Sequence, residues 1–262
     1  SAGVLSLNSS LYTVNLGTLG TIWSTGGVQK LDVSGNVGGA SYNGASGTPE
    51  IVMTGTGTIP AAFSMGINFT IDSTGTITFG TGTIQFSNPS NHTLKYVKGT
   101  LANLSNVILR IMGAGTIDTD GVTWENVTAS VSTTLLSNFQ CTTLNVGIAG
   151  SASFLGADVT ADTVIVQNRG SLTISDGHIL DVAHLYVNGV EGYGTTLKSA
   201  TASSNATVNI TSGEDENMIF RGTVTDIAFN KRMYNWQGTT TRGSNCTTVD
   251  VLDLTNTNLL LK

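Results

Sequence analysis

Residues 144–187 read LNVGIAGSASFLGADVTADTVIVQNRGSLTISDGHILDVAHLYV, and this stretch repeats itself about every twenty residues. Its leading apolar residues are Leu144, Val164 and Leu185, and Val208 continues the series downstream. Each of the four has an apolar residue two positions later, which places both side chains on one face of a strand. Apolar pairs that recur about every twenty residues predict short strands stacked coil upon coil.

Glycines in the turns, and apolar residues after them, also recur at the 20-residue spacing. Gly150 and Gly170 are 20 residues apart, and so are Phe154 and Ile174. Glycine at a corner allows the chain to turn sharply. A further short segment recurs, as Ala157-Asp158-Val159 and again as Leu180-Asp181-Val182. The sequence therefore predicts an all-β fold, a parallel β-helix (solenoid) with coils of about 20 residues.

The repeat is clearest over residues 141–211 and predicts a solenoid over 61–217. Residues 1–60 do not repeat and include a Gly/Ser/Asn-rich stretch that reads as a loop or linker, so they are predicted to be an N-terminal cap or attachment region. Residues 218–262 are predicted to be a C-terminal cap or an inter-subunit strand, since an open last coil exposes a strand edge. A β-sandwich would also have frequent turns, but it would not explain the detail that successive coils share.

The composition excludes several classes of protein. Charged residues are 11% of the chain and 66 residues are Ser or Thr, whereas disordered chains are rich in charge. The net charge is −6, and basic residues cluster only at Lys231-Arg232, so no nucleic-acid partner is expected. No apolar run approaches the length of a membrane span. The start, Ser-Ala-Gly, fits a mature secreted protein or a cytosolic one that lost its Met.

Nucleotide-binding glycine motifs and zinc spacings are missing, so neither a cofactor nor a metal is expected. The densest polar stretch, 175–184, offers the candidates for acid–base catalysis together with Asp158, which is expected to stack beside Asp181 one coil away. Stacked carboxylates on a solenoid wall suit polysaccharide cleavage. The alternative is an Asp-Gly turn with solvent-facing histidines. The candidate residues are Asp158, Asp176, His178, Asp181 and His184.

Threonine alternation offers a different interpretation, an ice-binding ladder. Such a ladder needs the same threonine pair on every coil, and residues 144–210 contain no Thr-x-Thr column. The threonines are therefore interpreted as strand-forming residues. The runs are Thr54-Thr56-Thr58, Thr74-Thr76-Thr78 and Thr81-Thr83.

Two covalent features are left open by the sequence. Cys141 and Cys246 would form one disulfide that pins the C-terminal segment, or they are two buried thiols. The second open feature is N-linked glycosylation. Eight N-x-[ST] sequons are present, which is not far above the number that chance gives in so Ser/Thr-rich a chain. The sequons lie at Asn8, Asn68, Asn91, Asn103, Asn126, Asn205, Asn209 and Asn245.

In its Gly/Thr/Ser/Asn-rich coils, residues 65–211, the chain resembles the β-helical parts of phage tailspikes and fibres, virion decoration proteins and bacterial adhesins. This resemblance implies a rigid, extracellular element on a virion, cell surface or filament. It implies self-association, or contact with neighbouring subunits, through the N-terminal region and the C-terminal strand, and a cell-surface glycan as a further partner. Catalysis is not expected. A polysaccharide depolymerase is the alternative, although the chain is similar to pectinase-like β-helix enzymes in outline only and lacks their signatures.

Overall fold

The computed structural model describes residues 3–7, 13–15, 28–38, 41–43, 50–86, 92–112, 115–130, 132–147, 151–154, 157–190, 194–213, 218–236 and 247–252. They form β-strands joined by turns, with one short 3-10 turn at Leu104–Asn106. The chain divides into two compact units, Ser1–Thr128 and Ala129–Lys262. Among the described residues, no helix has the length and apolar character needed to cross a membrane.

The first unit contains parallel strands that return to the same sheets turn after turn. One sheet has the order β1-β3-β6-β9-β11-β13, with β7 also beside β9, and another has the order β5-β8-β10-β12-β14. A short pair, β2 and β4, lies apart from both. The strands are β1 Gly3–Leu7, β2 Thr13–Asn15, β3 Val28–Val33, β4 Asn36–Gly38, β5 Ser41–Asn43, β6 Glu50–Met53, β7 Gly57–Ile59, β8 Ser64–Gly66, β9 Asn68–Phe79, β10 Gly82–Phe86, β11 His92–Ala102, β12 Val107–Ile111, β13 Gly115–Asp118 and β14 Thr123–Ala129.

The second unit has the same construction. One sheet has the order β15-β17-β19-β21-β24. The other begins β16-β18-β20, then β22 and β23 each pair with both β20 and β25, and β26 pairs with β25. The strands are β15 Ser132–Leu136, β16 Phe139–Val146, β17 Ser151–Phe154, β18 Val159–Val166, β19 Ser171–Ile174, β20 Ile179–Asn188, β21 Thr195–Ser199, β22 Ala206–Ile210, β23 Met218–Phe220, β24 Gly222–Thr225, β25 Ile227–Trp236 and β26 Thr247–Leu252.

The long strands of the second unit each cover two sides of a coil. In β18, Val159 and Ala161 are buried, and so are Val164 and Val166, so the inward alternation changes phase between the two pairs. The strand register skips a position at the same place. With the short strand that follows, each coil has three sides. The predicted all-β parallel solenoid is therefore confirmed, with coils of about 21 residues.

Aliphatic side chains stack in columns through the interior of the second unit. Leu144, Val164 and Leu185 are adjacent in register and fully buried. Successive coils lie about 4.8 Å apart, so branched side chains fill the space between them. Full burial of a Leu or Val side chain contributes roughly 1.5–3 kcal/mol. The column that the sequence predicted at these three positions is confirmed.

Two predicted alignments are wrong because turn length varies. Val208 stacks on Leu180 and not on Leu185, since β22 covers the first half of β20 while β23 covers the second half. The chain inserts residues 211–217 between those halves. Asp181 lies beside Thr160 and not beside Asp158, because Val159 pairs with Leu180. The segment around Asp158 therefore recurs two residues earlier than the sequence suggested.

Parallel pairing extends beyond the predicted solenoid at both ends. β3 and β6, which both lie below residue 60, pair with each other, and β6 pairs with β9 of the predicted solenoid. The short strands β4 and β5 lie within the stretch that was expected to be a loop or linker. At the other end, β26 adds to β25 within the same chain. A capping or attachment role for residues 1–60 and 218–262 stays a prediction.

His92 is a titratable group that points into the first unit. Its side chain is 7% exposed, and neither ring nitrogen has a hydrogen-bond partner among the described residues. Burial lowers the pKa of His92, because the charged imidazolium loses its hydration there. The folded protein therefore favours the neutral ring.

Mild acid is expected to weaken the protein through His92. Above the unfolded-state pKa of about 6.5, neither state binds the extra proton. As the pH falls below that value, the unfolded chain takes up the proton first, so stability falls until the pH reaches the lowered folded pKa. His92→Leu should remove this part of the fall, measured by urea unfolding at neutral and mildly acidic pH. An unchanged fall in the variant would assign the acid sensitivity to other groups.

Candidate functional site

The candidate site lies at a corner of the coils in the second unit. β19 ends at Ile174 and β20 begins at Ile179, and the turn between them is closed by the His178 N–H, which donates to the Ser175 carbonyl at 3.2 Å. Gly177 has φ +77°, which suits the third position of a type II turn. Asp176 and His178 therefore lie in a turn, and strand geometry does not continue across the glycine.

Asp158 connects two successive coils. One of its carboxylate oxygens, Oδ1, lies 3.2 Å from His178 Nδ1 and accepts the Ile179 N–H at 2.9 Å. The Asp158 side chain is half-exposed, so the solvent screens its charge. The carboxylate fastens the turn of the following coil, and this role requires no substrate.

Asp176 is engaged with the coil on the other side of the turn. Its carboxylate accepts the Thr201 hydroxyl at 2.8 Å and the Ser204 hydroxyl at 3.3 Å. The bond from Thr201 is the main reason that the pKa of Asp176 lies below its ordinary value, and the residue's own backbone N–H adds to this. A carboxyl with a lowered pKa is ionised at neutral pH and is a poor proton donor.

Asp181 and His184 do not join this corner. Asp181 faces outward from β20 and accepts the Asn209 side-chain amide at 2.9 Å. His184 lies past the bend of the same strand, beside Thr163 of the preceding coil. The structure thus brings Asp158 and His178 together, with Asp176 in the same turn, and separates the other two. Within the described ranges, no group of three His, Cys, Asp or Glu side chains could hold a metal ion.

Asp226 belongs to the same series of corners, and the sequence reasoning missed it. It follows Val224, which continues the buried column of Leu172 and Leu197. Its side chain is 2% exposed, its φ is +55°, and its carboxylate accepts the Ser203 N–H at 2.9 Å. The sequence could have placed residue 226 at the corner only through the alignment of Val224 with Leu197, which the repeat analysis did not reach.

The covalent predictions are tested only in part. Cys141 is buried and pairs with no cysteine in the described part of the chain, while Cys246 lies outside it. Among the sequons, Asn205 is exposed just before β22, whereas Asn103 donates its amide to the Phe79 carbonyl at 2.6 Å. Asn68, Asn126 and Asn209 lie on strands, and Asn8, Asn91 and Asn245 lie outside the described residues.

Cys141 is expected to resist alkylation in the folded protein. Burial, followed by the nearby Asp162 carboxylate, raises the pKa of its thiol to about 12, so the reactive thiolate is scarce at neutral pH. Iodoacetamide labelling followed by peptide mass spectrometry should find Cys141 unmodified before unfolding in urea and fully modified afterwards. Rapid labelling of the folded protein would contradict a buried thiol.

No protein-family model, curated protein or solved structure matches this chain.

Proposed function

We propose that this chain is a non-enzymatic structural or attachment protein of a virion or an extracellular filament, in which the coils form a rigid surface element. The observation that carries the proposal is the use of polar side chains at the corners. Asp158, Asp176 and Asp226 each accept hydrogen bonds from a neighbouring coil. These carboxylates, two of which are candidates for catalysis, therefore stabilise the contacts between coils.

The outward surface of the second unit supports the same proposal. Where β19, β21 and β24 form the sheet, two columns of positions alternate with the buried ones, and hydroxyl-bearing residues occupy both columns apart from a single lysine. Small uncharged groups lose less on desolvation than charged ones, so such a face can pack against another surface at modest cost. The columns are Ser171, Thr196, Thr223 and Thr173, Lys198, Thr225.

The partners that fit this proposal are further structural subunits and a cell-surface glycan. The N-terminal region and the C-terminal strand are the proposed contacts with subunits, because the end strands of a stack carry backbone groups that can pair with another chain. An extracellular location, on a virion or a cell surface, follows from the same role.

The assembly state in the native source tests the proposal. Antibodies against the chain would be used to follow it through density-gradient fractions and to label particles and filaments for electron microscopy. The expected result is co-sedimentation with particles or filaments and regular surface labelling. A freely soluble monomer in every fraction would contradict the proposal.

A polysaccharide depolymerase remains the second candidate, because Asp158 and His178 form a contact on an accessible corner. Incubation with acidic and neutral glycans, with assay of new reducing ends or unsaturated products, would test it. Activity that disappears in both Asp158→Asn and His178→Asn would favour this candidate, and activity that survives both would place the chemistry elsewhere.

A further inference from the structure

An open groove of about 300 Å³ lies on the first unit. Strand β11, the turn that contains Leu104 and the turn before β14 form its walls. Among the described residues that line it, none is charged. The lining residues are Tyr96, Gly99, Thr100, Leu101, Leu104, Gly121, Val122 and Thr123.

The groove exists because β11 extends past the strand stacked on it. Residues His92–Lys95 pair with Gly115–Asp118 of β13. Beyond them the following coil turns away, where the Val122 N–H donates to the Thr119 carbonyl at 3.1 Å. In the described part of the chain, residues 96–102 pair with β9 alone. These residues form a ledge, and one of its two edges pairs with no strand among the described residues.

A β-bulge interrupts the ledge. The register shifts on both sides of Lys98, and Gly99 has φ +123°. A Cβ atom at Gly99 would lie 2.9 Å from Ser73 Cβ, so only glycine fits there. Bulges twist an edge and break the even spacing that an added strand needs. The ledge is therefore poorly suited to an extended peptide.

Two side chains of the groove are less buried than the side chains beside them on the neighbouring strand. Tyr96 and Leu101 stand in register with Ile71 and Ile77, which are fully buried, yet both are only half-buried themselves. The Tyr96 hydroxyl donates to the Gly99 carbonyl at 2.7 Å, which restrains the ring. A restrained aromatic ring loses little entropy when a ligand packs on it.

We propose that this groove binds neutral hexose units of a polysaccharide, an inference that rests on the attachment role proposed above. A hexose has an apolar C–H face that can pack on the Tyr96 ring and hydroxyls that can bond to Thr100 and to the backbone of the ledge. The uncharged lining matches an uncharged sugar. The groove is open to solvent, which suits one unit of a polymer, whereas small-molecule pockets enclose most of their ligand.

Saturation-transfer NMR on the full chain tests this proposal, with methyl glycosides of glucose, galactose and mannose and neutral polysaccharides as probes. At least one neutral probe should bind, and Tyr96→Ala should weaken binding at least tenfold. Tyr96→Phe keeps the ring and should retain most of the binding. Tyr186→Ala, which removes a half-buried tyrosine of the second unit, should leave it unchanged. Thermal unfolding of each variant establishes that it is folded.

Three results would overturn the proposal: no neutral probe binds, folded Tyr96→Ala binds as well as the wild type, or an extended Val/Thr-rich peptide perturbs the ledge while sugars do not. The last result would replace the sugar with an added strand. The outcome is separable from that of the attachment role. If sugars do not bind but the protein is found on particles, only the groove proposal is contradicted. If sugars bind but the protein is never found on particles, only the attachment role is contradicted.

Discussion

Trp124→Ala is expected to lower the free energy of unfolding by about 3–5 kcal/mol, the cost of truncating a large buried aromatic side chain. Trp124 is 1% exposed and packs edge-on against Phe79 with the ring centroids 5.8 Å apart. Its indole N–H donates to the Thr119 hydroxyl at 3.1 Å within the interior. The truncation would leave a cavity and deprive Thr119, which is fully buried, of a partner.

Urea denaturation followed by circular dichroism would measure this loss. Trp124→Phe is the matched variant, because it keeps most of the packing and removes only the indole donor, so its loss should be intermediate. A change within about 1 kcal/mol for Trp124→Ala, which is ordinary for an average substitution, would show that the surrounding coils collapse into the space.

Ile165→Pro should destabilise the second unit by at least about 1–3 kcal/mol, since proline removes a ladder donor from a central strand and leaves the facing carbonyl unpaired. Ile165 lies on β18, with Asn145 of β16 on one side and Tyr186 of β20 on the other. Its side chain is half-exposed, so little core packing is lost with it. Any large effect must therefore come from the backbone.

The control is Ile165→Thr, a β-branched residue that keeps the N–H and should cost less than about 1 kcal/mol. Urea unfolding gives the size of the effect, and limited proteolysis shows where it acts. New cleavage in the proline variant should fall within the coils adjacent to β18, because each coil contacts only its neighbours. Equal losses in both variants would attribute the effect to the side chain.

The repeating interior of the second unit could be predicted because inward aliphatic residues carry a period of two and recur at a fixed step. Leu144, Val164 and Leu185 satisfy both conditions. The predicted alignment of Val208 with Leu185 was wrong, because turns lie outside the core and can lengthen without disturbing it. The first unit was harder to predict, since the short strands β4 and β5 lie in a glycine-rich stretch and are recognised only by their pairing with β2 and β8.

The sequence predicted some of the residues that lie at the corner site, but it did not predict which partners they contact. Asp176-Gly177 predicted a turn by its chemistry, but the partners Thr201 and Ser204 belong to a coil whose position depends on the length of the intervening turn. Asp226 has no neighbouring motif and is recognised only once the register is known. Hydrogen bonds between coils are long-range contacts, and a local pattern does not encode them.

The three-sided coils of the second unit also determine how it would respond to force. A coil adds only about 4.8 Å to the height of the stack, yet its twenty or so residues span roughly 65–70 Å when fully drawn out. Peeling one coil from an end breaks only its own ladder and leaves the next coil intact. Under tension, the unit would therefore lengthen in discrete steps, each many times the height of the coil released, and dissipate work at every step.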